Sequence, residues 1–483
     1  MGSINSALTV MKGALEADQK ALSVVANNVA NANTAGYTEE TPTWQQNAPI
    51  ETGGVLDGDG VTETGATSQR SRVLEERLDQ QQQSASASST RLSALNDIQA
   101  LFTPDSGSST ANAGDIGSDI TNFFDSFSSL EGDPTNNALR ERVLSTASTL
   151  AGDISSAANS LNAQSAALNQ DASGIASQVN SLTGAIAQLN LQIQSTSPDA
   201  DAGTLEDQRQ QDLSQLSQLI GINQVTTQNN GLLVTTTGGQ LLVSEGSNFQ
   251  LTTGTVNGVT DFFLGGTDIT SALSSGAGQL GGYLTARDQD VPAALSSLDQ
   301  LANSISTNVN AHNNTGTDLD GVEGTGTNSK GVVGTGAAPL YIFNEPTQVA
   351  GSAVSMSVVM TDPNQIAAAG FGDGTGDNSN ASLLAGVASQ TIVNGQTPIN
   401  YYSNFVSTLG STVSEVQTEN TAQNASVTQL QTQNNALSSV NLNDEAAALS
   451  TLQNSYQAAS QVFTLLNTIM TSALNLGVET AVS

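Results

Sequence analysis

Apolar residues at the start of the chain fall on a 4-3-4-3 rhythm: Ile4, Leu8, Met11, Leu15, Leu22, Val25 and Val29, with Asp18 in the one slot that is not apolar. That spacing is a coiled-coil seam, a narrow stripe on a helix whose flanks stay polar. The far end repeats it in Leu442, Leu449, Leu452, Tyr456, Ala459, Phe463, Leu466, Met470 and Ala473, with Glu445 as the polar exception. Upstream, Val406, Leu409, Val413, Val416, Val427, Leu430 and Leu437 form a frame offset by one residue. A helix break is therefore expected at Ser438 to Asn443, with Asn443 or Asp444 capping the helix that follows. A narrow seam buries too little apolar area to offset the entropy of ordering its own helix. Both termini are thus expected to take a fixed shape only among neighbouring copies.

A third long pattern runs from Leu150 to Ile193 and is expected to stop at Ser197-Pro198. Its stripe reads as core within the chain, and the apolar run Leu213 to Ile222 closes this helical part. From about Asn223 the texture changes to short β-type runs separated by glycine, and Gly238-Gly239 reads as a hairpin turn. Helical spacing returns over Val291 to His312, Gly321 to Gly336 is a Gly/Thr-rich loop, and "PLYIFN" and "AVSMSVVM" read as strands. The fold class expected is α+β and multidomain, with long coiled-coil-like helices at both termini packed together and a β-rich middle projecting outward. Residues 1–45 with 440–483 form the terminal core, 46–222 with 397–439 a domain of long helices, and 223–396 a β-rich outer domain with a helix near 291–313.

Charge narrows the partners. Eleven Lys and Arg stand against 44 Asp and Glu, a formal charge of −33, which repels phosphate backbones and anionic bilayers. Neither nucleic acid nor membrane is expected as a partner. The chain has no cysteine, which excludes disulfides and thiolate metal sites and leaves it free to be unfolded and threaded through a narrow channel. Lys12, Glu16, Asp18 and Lys20 interrupt the first apolar segment, so it is neither a signal peptide nor a spanning helix. His312 is the only histidine and sits near a helix end; no Ser/His/Asp or Cys/His set can be assembled around it. "FGDGTGDNSN" and "DLDG" alternate Asp and Asn oxygens with glycine but lack the closing glutamate of a calcium loop, and read as Asp-Gly turns. No enzyme activity, catalytic residue, metal or cofactor is expected.

The stretch "ALSVVANNVANANTAGYT" (Ala21 to Thr38) resembles the N-terminal signature of the axial proteins of the bacterial flagellum, the rod, hook and hook-associated family. "VNLNDEAAALSTLQNSYQAASQVFTLLNTIMTSAL" (Val440 to Leu474) is similar to the matching C-terminal signature. Three interior stretches, Phe123 to Ile154, Gly281 to Gly321 and the segment holding "TDPNQIAAA" and "GDNSNASLLAGV", are similar to the hook-associated branch in order and spacing. One departure is Glu39-Glu40 after the Gly-Tyr-Thr triplet, where the family commonly carries a basic residue and glutamine.

The resemblance implies a structural adapter at the junction of hook and filament, located outside the cell after unfolded export by the flagellar type III apparatus. The partners it implies are copies of itself in a ring, the hook protein, a second junction protein, and an export chaperone on the C-terminal helix. Its subunit contacts would be Ile4, Leu8, Met11, Leu15, Leu22, Val25, Val29, Leu449, Leu452, Tyr456, Phe463, Leu466 and Met470. Asn27, Asn28, Asn31 and Asn33 would cap or cross-bond backbone where the first helix ends, Gly36 would take a positive φ, and Tyr37 would offer a polar tip at a partly wet boundary. The chaperone would share Leu449, Leu452, Tyr456, Phe463 and Leu466. Rival readings are a hook or distal rod protein, and, from another class, a secreted adhesin or carbohydrate-binding protein working through Gln224 to Gln396.

Overall fold

The computed structural model describes residues 2–52, 55–103, 116–196, 201–256, 258–274 and 277–479. The N-terminal helix α1 (Gly2–Asn31) passes through a turn into a ribbon in which β1 (Glu40–Gln46) pairs antiparallel with β4 (Val61–Ser68). At the ribbon's far end β2 (Ile50–Thr52) and β3 (Val55–Asp57) pair as a short hairpin. The ribbon folds back along α1: Gly60, at φ +81°, sits where an added Cβ would lie 3.2 Å from Val10 Cγ1. Only glycine satisfies both demands there.

Four helices follow: α2 (Arg72–Ala100), α3 (Ile116–Gly132), α4 (Asn137–Thr196) and α5 (Thr204–Leu219). α4 has 60 residues, about 90 Å of helix. Its stripe begins earlier than the Leu150 to Ile193 pattern and serves two cores. Val143, Leu150, Ile154 and Leu161 belong to one with α2 and α3, where the Phe123 ring meets those of Phe127 and Phe343 at 5.2 and 5.5 Å. Ala172, Val179 and Ile186 belong to the other, with Leu213 and Leu216 of α5. Ser197-Pro198, the expected stop, lies outside the described residues.

The second core is roofed by strands. β5 (Ile222–Thr226), β6 (Leu232–Thr236), β7 (Leu241–Ser244) and β8 (Ser247–Asn248) form an antiparallel sheet in chain order. β9 (Leu251–Val256), β10 (Val259–Leu264) and β11 (Thr267–Asp268) form a second one. Gly238-Gly239 does turn β6 into β7, with Gly239 at φ +84°. Then come α6 (Thr270–Leu273), α7 (Gly278–Thr285), a π-helical turn at Ala286–Asp290, and α8 (Val291–Asn313). α8 returns to the first core through Leu298, Leu301, Ile305 and Val309, in agreement with the helical spacing expected over Val291 to His312.

The remaining middle holds the two-residue strands β12 (Gly316–Thr317) and β13 (Ala369–Gly370), paired with each other, and the short helices α9 (Ser352–Ser355) and α10 (Ser379–Gly386). The expected strands "PLYIFN" and "AVSMSVVM" do not form. The second becomes α9 followed by irregular chain, and the two segments meet at the isolated bridge Phe343–Val358, where Asn344 N donates to Ser357 O and Val359 N to Ile342 O, both at 2.9 Å. Their apolar side chains are buried all the same, since Ile342, Phe343 and Met356 are core. A side chain takes the place of the neighbouring strand: Asn310 Oδ1 accepts from Ile342 N and Phe343 N at 3.0 Å each, and Asn310 Nδ2 donates to Phe343 O at 2.8 Å.

α11 (Pro398–Ser438) runs antiparallel to α2, with Asn420 against Ser88 and Gly410 near Gln99, and α12 (Leu442–Glu479) ends the described chain. The break between them falls where the two heptad frames part. Its cap differs from the expectation, because Asn441 and not Asn443 or Asp444 accepts the first free amide: Asn443 N donates to Asn441 Oδ1 at 3.1 Å. The cap sits one residue before the helix, so the first asparagine past the bend takes it.

The Asn310 bracket makes one test of this core. Asn310→Ala strips three bonds from backbone that is 3% exposed or less, and is expected to lower stability by about 2–4 kcal/mol in thermal or denaturant unfolding. A loss under about 0.5 kcal/mol would mean that the segment finds its partners elsewhere.

Candidate functional site

The two terminal helices meet the rest of the chain at one joint, built around Asn28 on the last turn of α1. Asn28 is 1% exposed. Its Nδ2 donates to Glu40 O and to Glu445 Oε1, both at 2.8 Å. Its Oδ1 accepts from Tyr37 Oη at 2.8 Å and Glu40 N at 3.1 Å. One carboxamide therefore ties the end of α1, the start of β1 and the first turn of α12. Because the end of α1 meets the beginning of α12, the two helices form an antiparallel hairpin.

The loop between α1 and β1 is shaped to bring Tyr37 back onto Asn28. Thr34 N donates to Asn31 O, Tyr37 N donates to Thr34 O, and Gly36 takes φ +79° with open space where a Cβ would stand. Gly36 is thus needed for its backbone angle and not for room. Asn31 bonds back to Asn27 within the helix, whereas Asn27 and Asn33 lie exposed. Burial, with Glu40, Asp207 and Glu445 nearby, holds the Tyr37 hydroxyl above its ordinary range, so it stays a donor.

The joint is anchored to the body by ions. Thr38 N donates to Asp207 Oδ2 at 3.1 Å, and Glu39 N donates to Ser438 O at 2.8 Å. Arg70 pairs with Asp207 and, at 3.5 Å, with Glu206, which also takes Arg72 at 3.0 Å. Beneath lies a cavity of about 360 Å³ lined by Tyr37, Asp79, Asp207, Gln210, Asn434 and Ser438 among others. Asp79, 1% exposed, accepts from Gln210 and Gln224 at 2.9 and 2.8 Å through Oδ2, with no cation paired to it among the described ion pairs. Burial pushes its carboxyl up to about 7.

The expected contact residues divide between two faces. Ile4, Leu8, Met11, Leu15 and Leu22 are half-buried and Val25 is buried, beside a deeper stripe of Ala17, Ala21 and Asn28. Those alanines lie where the ribbon and α12 both press on α1, and small side chains permit that approach. Val29 is 44% exposed. On α12, Leu449, Leu452, Phe463, Leu466 and Met470 are half-buried and Tyr456 is 38% exposed. The polar exception in this seam, Glu445, is the residue that Asn28 holds. A different set, Val462, Leu465 and Ile469, stands 44, 61 and 45% exposed.

Sequence reasoning missed the β1–β4 ribbon and the cluster of Arg70, Asp79, Glu206 and Asp207. An acid inside an apolar seam was the one available signal for a buried partner. Burial lowers the proton affinity of His312, which ends α8 as expected. The two Asp-Gly segments are turns in which Asp318 and Asp377 accept amides of their own loops. Among the described residues no group of three His, Asp or Glu could hold a metal, and no helix is long and apolar enough to cross a membrane.

Comparison with known proteins agrees with this architecture. Residues 105–328 match the family model of the helical domain of the flagellar hook-associated protein FlgK, and residues 8–38 match that of the flagella basal body rod protein. Flagellar hook-associated protein 1 of Salmonella typhimurium is 26% identical over 551 residues, covering 96% of this chain and 98% of that protein. Its Escherichia coli K12 counterpart is 26% identical, covering 98% and 99%. Over nearly its whole length the chain is similar to the FlgK family of flagellar hook-associated proteins. The family extends to Bacillus subtilis, whose hook-associated protein 1 is 25% identical with 97% of each chain covered. The solved flagellar hook junction protein FlgK from Burkholderia pseudomallei superposes with a TM-score of 0.61 at 19% identity, over 74% of this chain and 99% of that one, which supports the fold. This chain has long helices at both ends around a β-containing middle, and the superposition supports that fold over the part it covers.

Two outcomes follow from the joint. Asn28→Ala removes four bonds and leaves Tyr37 Oη and the Glu40 amide unmatched. Hydrogen exchange should show lost protection in β1 and the first turns of α12 while α4 stays protected; unchanged protection would refute the bridge. Asp79 gives a pH test. Its folded proton affinity exceeds the unfolded value near 3.9, so the folded state binds the extra proton. The stability it contributes is complete below about pH 4 and is lost as pH rises through about 7, by up to about 1.4 kcal/mol per pH unit. Unfolding free energies at pH 5 and pH 8 should therefore differ less in Asp79→Asn than in the native chain.

Proposed function

We propose that this chain is a structural, non-catalytic adapter that joins hook to filament, holding to copies of itself, to the hook protein and to a second junction protein through its terminal hairpin. One observation carries this reading. Between Glu445 and Glu479 the C-terminal helix has no charged residue, in a chain of formal charge −33, and it exposes Val462, Leu465 and Ile469. Copies of so acidic a protein repel one another wherever their charged surfaces meet. An uncharged, part-apolar helix face is where they can pack without that cost.

Further support comes from names and chemistry. The relatives are hook-associated proteins and the solved neighbour is a hook junction protein. The sequence has no cysteine to be cross-linked before unfolded export to the outside of the cell. In this reading residues 1–45 with 440–483 form the axial part, and the helical and β-containing units stand outside it. An export chaperone on Leu449, Leu452, Tyr456, Phe463 and Leu466 would occupy the face that α1 covers after folding. Its release and the closing of the hairpin would then be a single exchange of apolar partners.

The test is a double substitution on the outer face, Leu465→Asp with Ile469→Asp. Both side chains are exposed, so the purified protein is expected to keep its unfolding temperature, while cells carrying it show hooks without filaments by electron microscopy. Filaments of normal number and length would overturn the proposal.

A further inference from the structure

A groove of about 360 Å³ opens beside the joint, between β1 and the first turns of α12. Its apolar lining comes from Val25, Trp44 and Leu452, and acids, Glu39 and Asp444 among them, line it too. Trp44, the single tryptophan, is 49% exposed there. Glu445, also lining the groove, is 5% exposed, and its Oε2 has no partner although Oε1 binds Asn28. Burial raises the proton affinity of both Glu40 and Glu445, and the neighbouring Glu39 and Asp444 add to the effect at Glu445. The groove therefore suits an amphipathic segment that brings a cation.

The chain supplies such a segment only from another copy. Of its three lysines two are on α1, and Lys12 is 70% exposed, paired merely with Glu16 one turn away at 3.6 Å. Half-buried Leu8, Met11 and Leu15 flank it. Within one chain Lys12 cannot reach the groove: sixteen residues of helix separate it from Asn28, about 24 Å by helical rise. We propose that the groove seats the Lys12 turn of α1 from a second copy displaced along the helix axis by about that distance. The two surfaces differ, so the contact is heterologous and repeats from copy to copy, as a ring or helical array needs. The proposal rests on the assembly reading above, and it gives the acidic pair Glu39-Glu40 a cationic partner.

The missing cysteines make the test direct. Flagella are isolated from cells carrying the full chain with Lys12→Cys and Asp444→Cys together, and treated with a short thiol–thiol cross-linker. Dimers and higher multimers are expected on a denaturing gel, with each single variant at least tenfold weaker. Ile469→Cys serves as the control for packing of the terminal helices. If Ile469→Cys cross-links and the double variant does not, the seat is wrong and assembly stands; if neither cross-links, the assembly reading fails as well. In a second arm, Lys12→Glu should reduce filament number and Lys12→Glu with Glu39→Lys should restore it. A single variant with normal filaments, or a pair with no recovery, counts against the contact.

Discussion

The terminal half of this molecule depends on how one buried carboxamide spends its hydrogen-bonding capacity. Asn28 uses both donors and both acceptor positions on two segments, residues 37–40 and Glu445, and so ties both to the helix that carries it. An amide satisfied on all sides has one orientation, and a low local dielectric strengthens each of its bonds. The hairpin of α1 and α12 is therefore fixed at its root, and beyond that point the seam and the ribbon hold it. Rigid attachment with an uncovered outer face is what a subunit needs if its ends are to meet neighbours in a set register.

The same economy recurs through the body. A chain in which only 11% of residues are charged has few ion pairs to place inside, and it satisfies buried backbone with neutral amides instead. Asn180 holds Leu251 by both N–H and C=O, Asn190 binds Leu232 O and Glu245 O, and Asn313 and Asn380 brace the segment 340–367. Neutral groups are cheaper to desolvate than ions, so these braces lock loops onto helices without needing a matched countercharge. Ions gather in the knot of Arg70, Glu206 and Asp207, placed where the hairpin joins the body, while Arg140 and Asp299 brace backbone singly.

This explains what could be read from the sequence. Long helices announce themselves by period, and the frames of α1, α8, α11 and α12, with the break after Ser438, follow from the spacing of Leu, Ile and Val. Strand assignments failed at 339–344 and 353–360 because an apolar run reports burial, whereas the ladder that makes a strand depends on a partner; here Asn310 is that partner. The ribbon of β1 and β4 lacks apolar alternation because it lies on a helix instead of covering a core, so its period is hidden. Of the joint, the positive φ of Gly36 and the cross-bonding of backbone by an asparagine near the end of α1 were legible, but not which asparagine does it or that Tyr37 turns back onto it. Asp79 and Asp207 were not, since they come from helices whose contact with the loop is set only by the tertiary fold.

Charge placement then separates the two halves physically. The terminal helices α1 and α12 together carry five acids and two lysines, three of the chain's thirty-three net negative charges, and all the rest lies on the connecting ribbon, the body and the middle. Screening at physiological salt acts over roughly 8 Å, so hairpins packed side by side feel little repulsion while acidic bodies do better farther apart. An arrangement with neutral hairpins at the centre and charged bodies radiating outward satisfies both conditions. Geometry set at Asn28 and electrostatics set by the distribution of Asp and Glu thus favour the same direction of assembly.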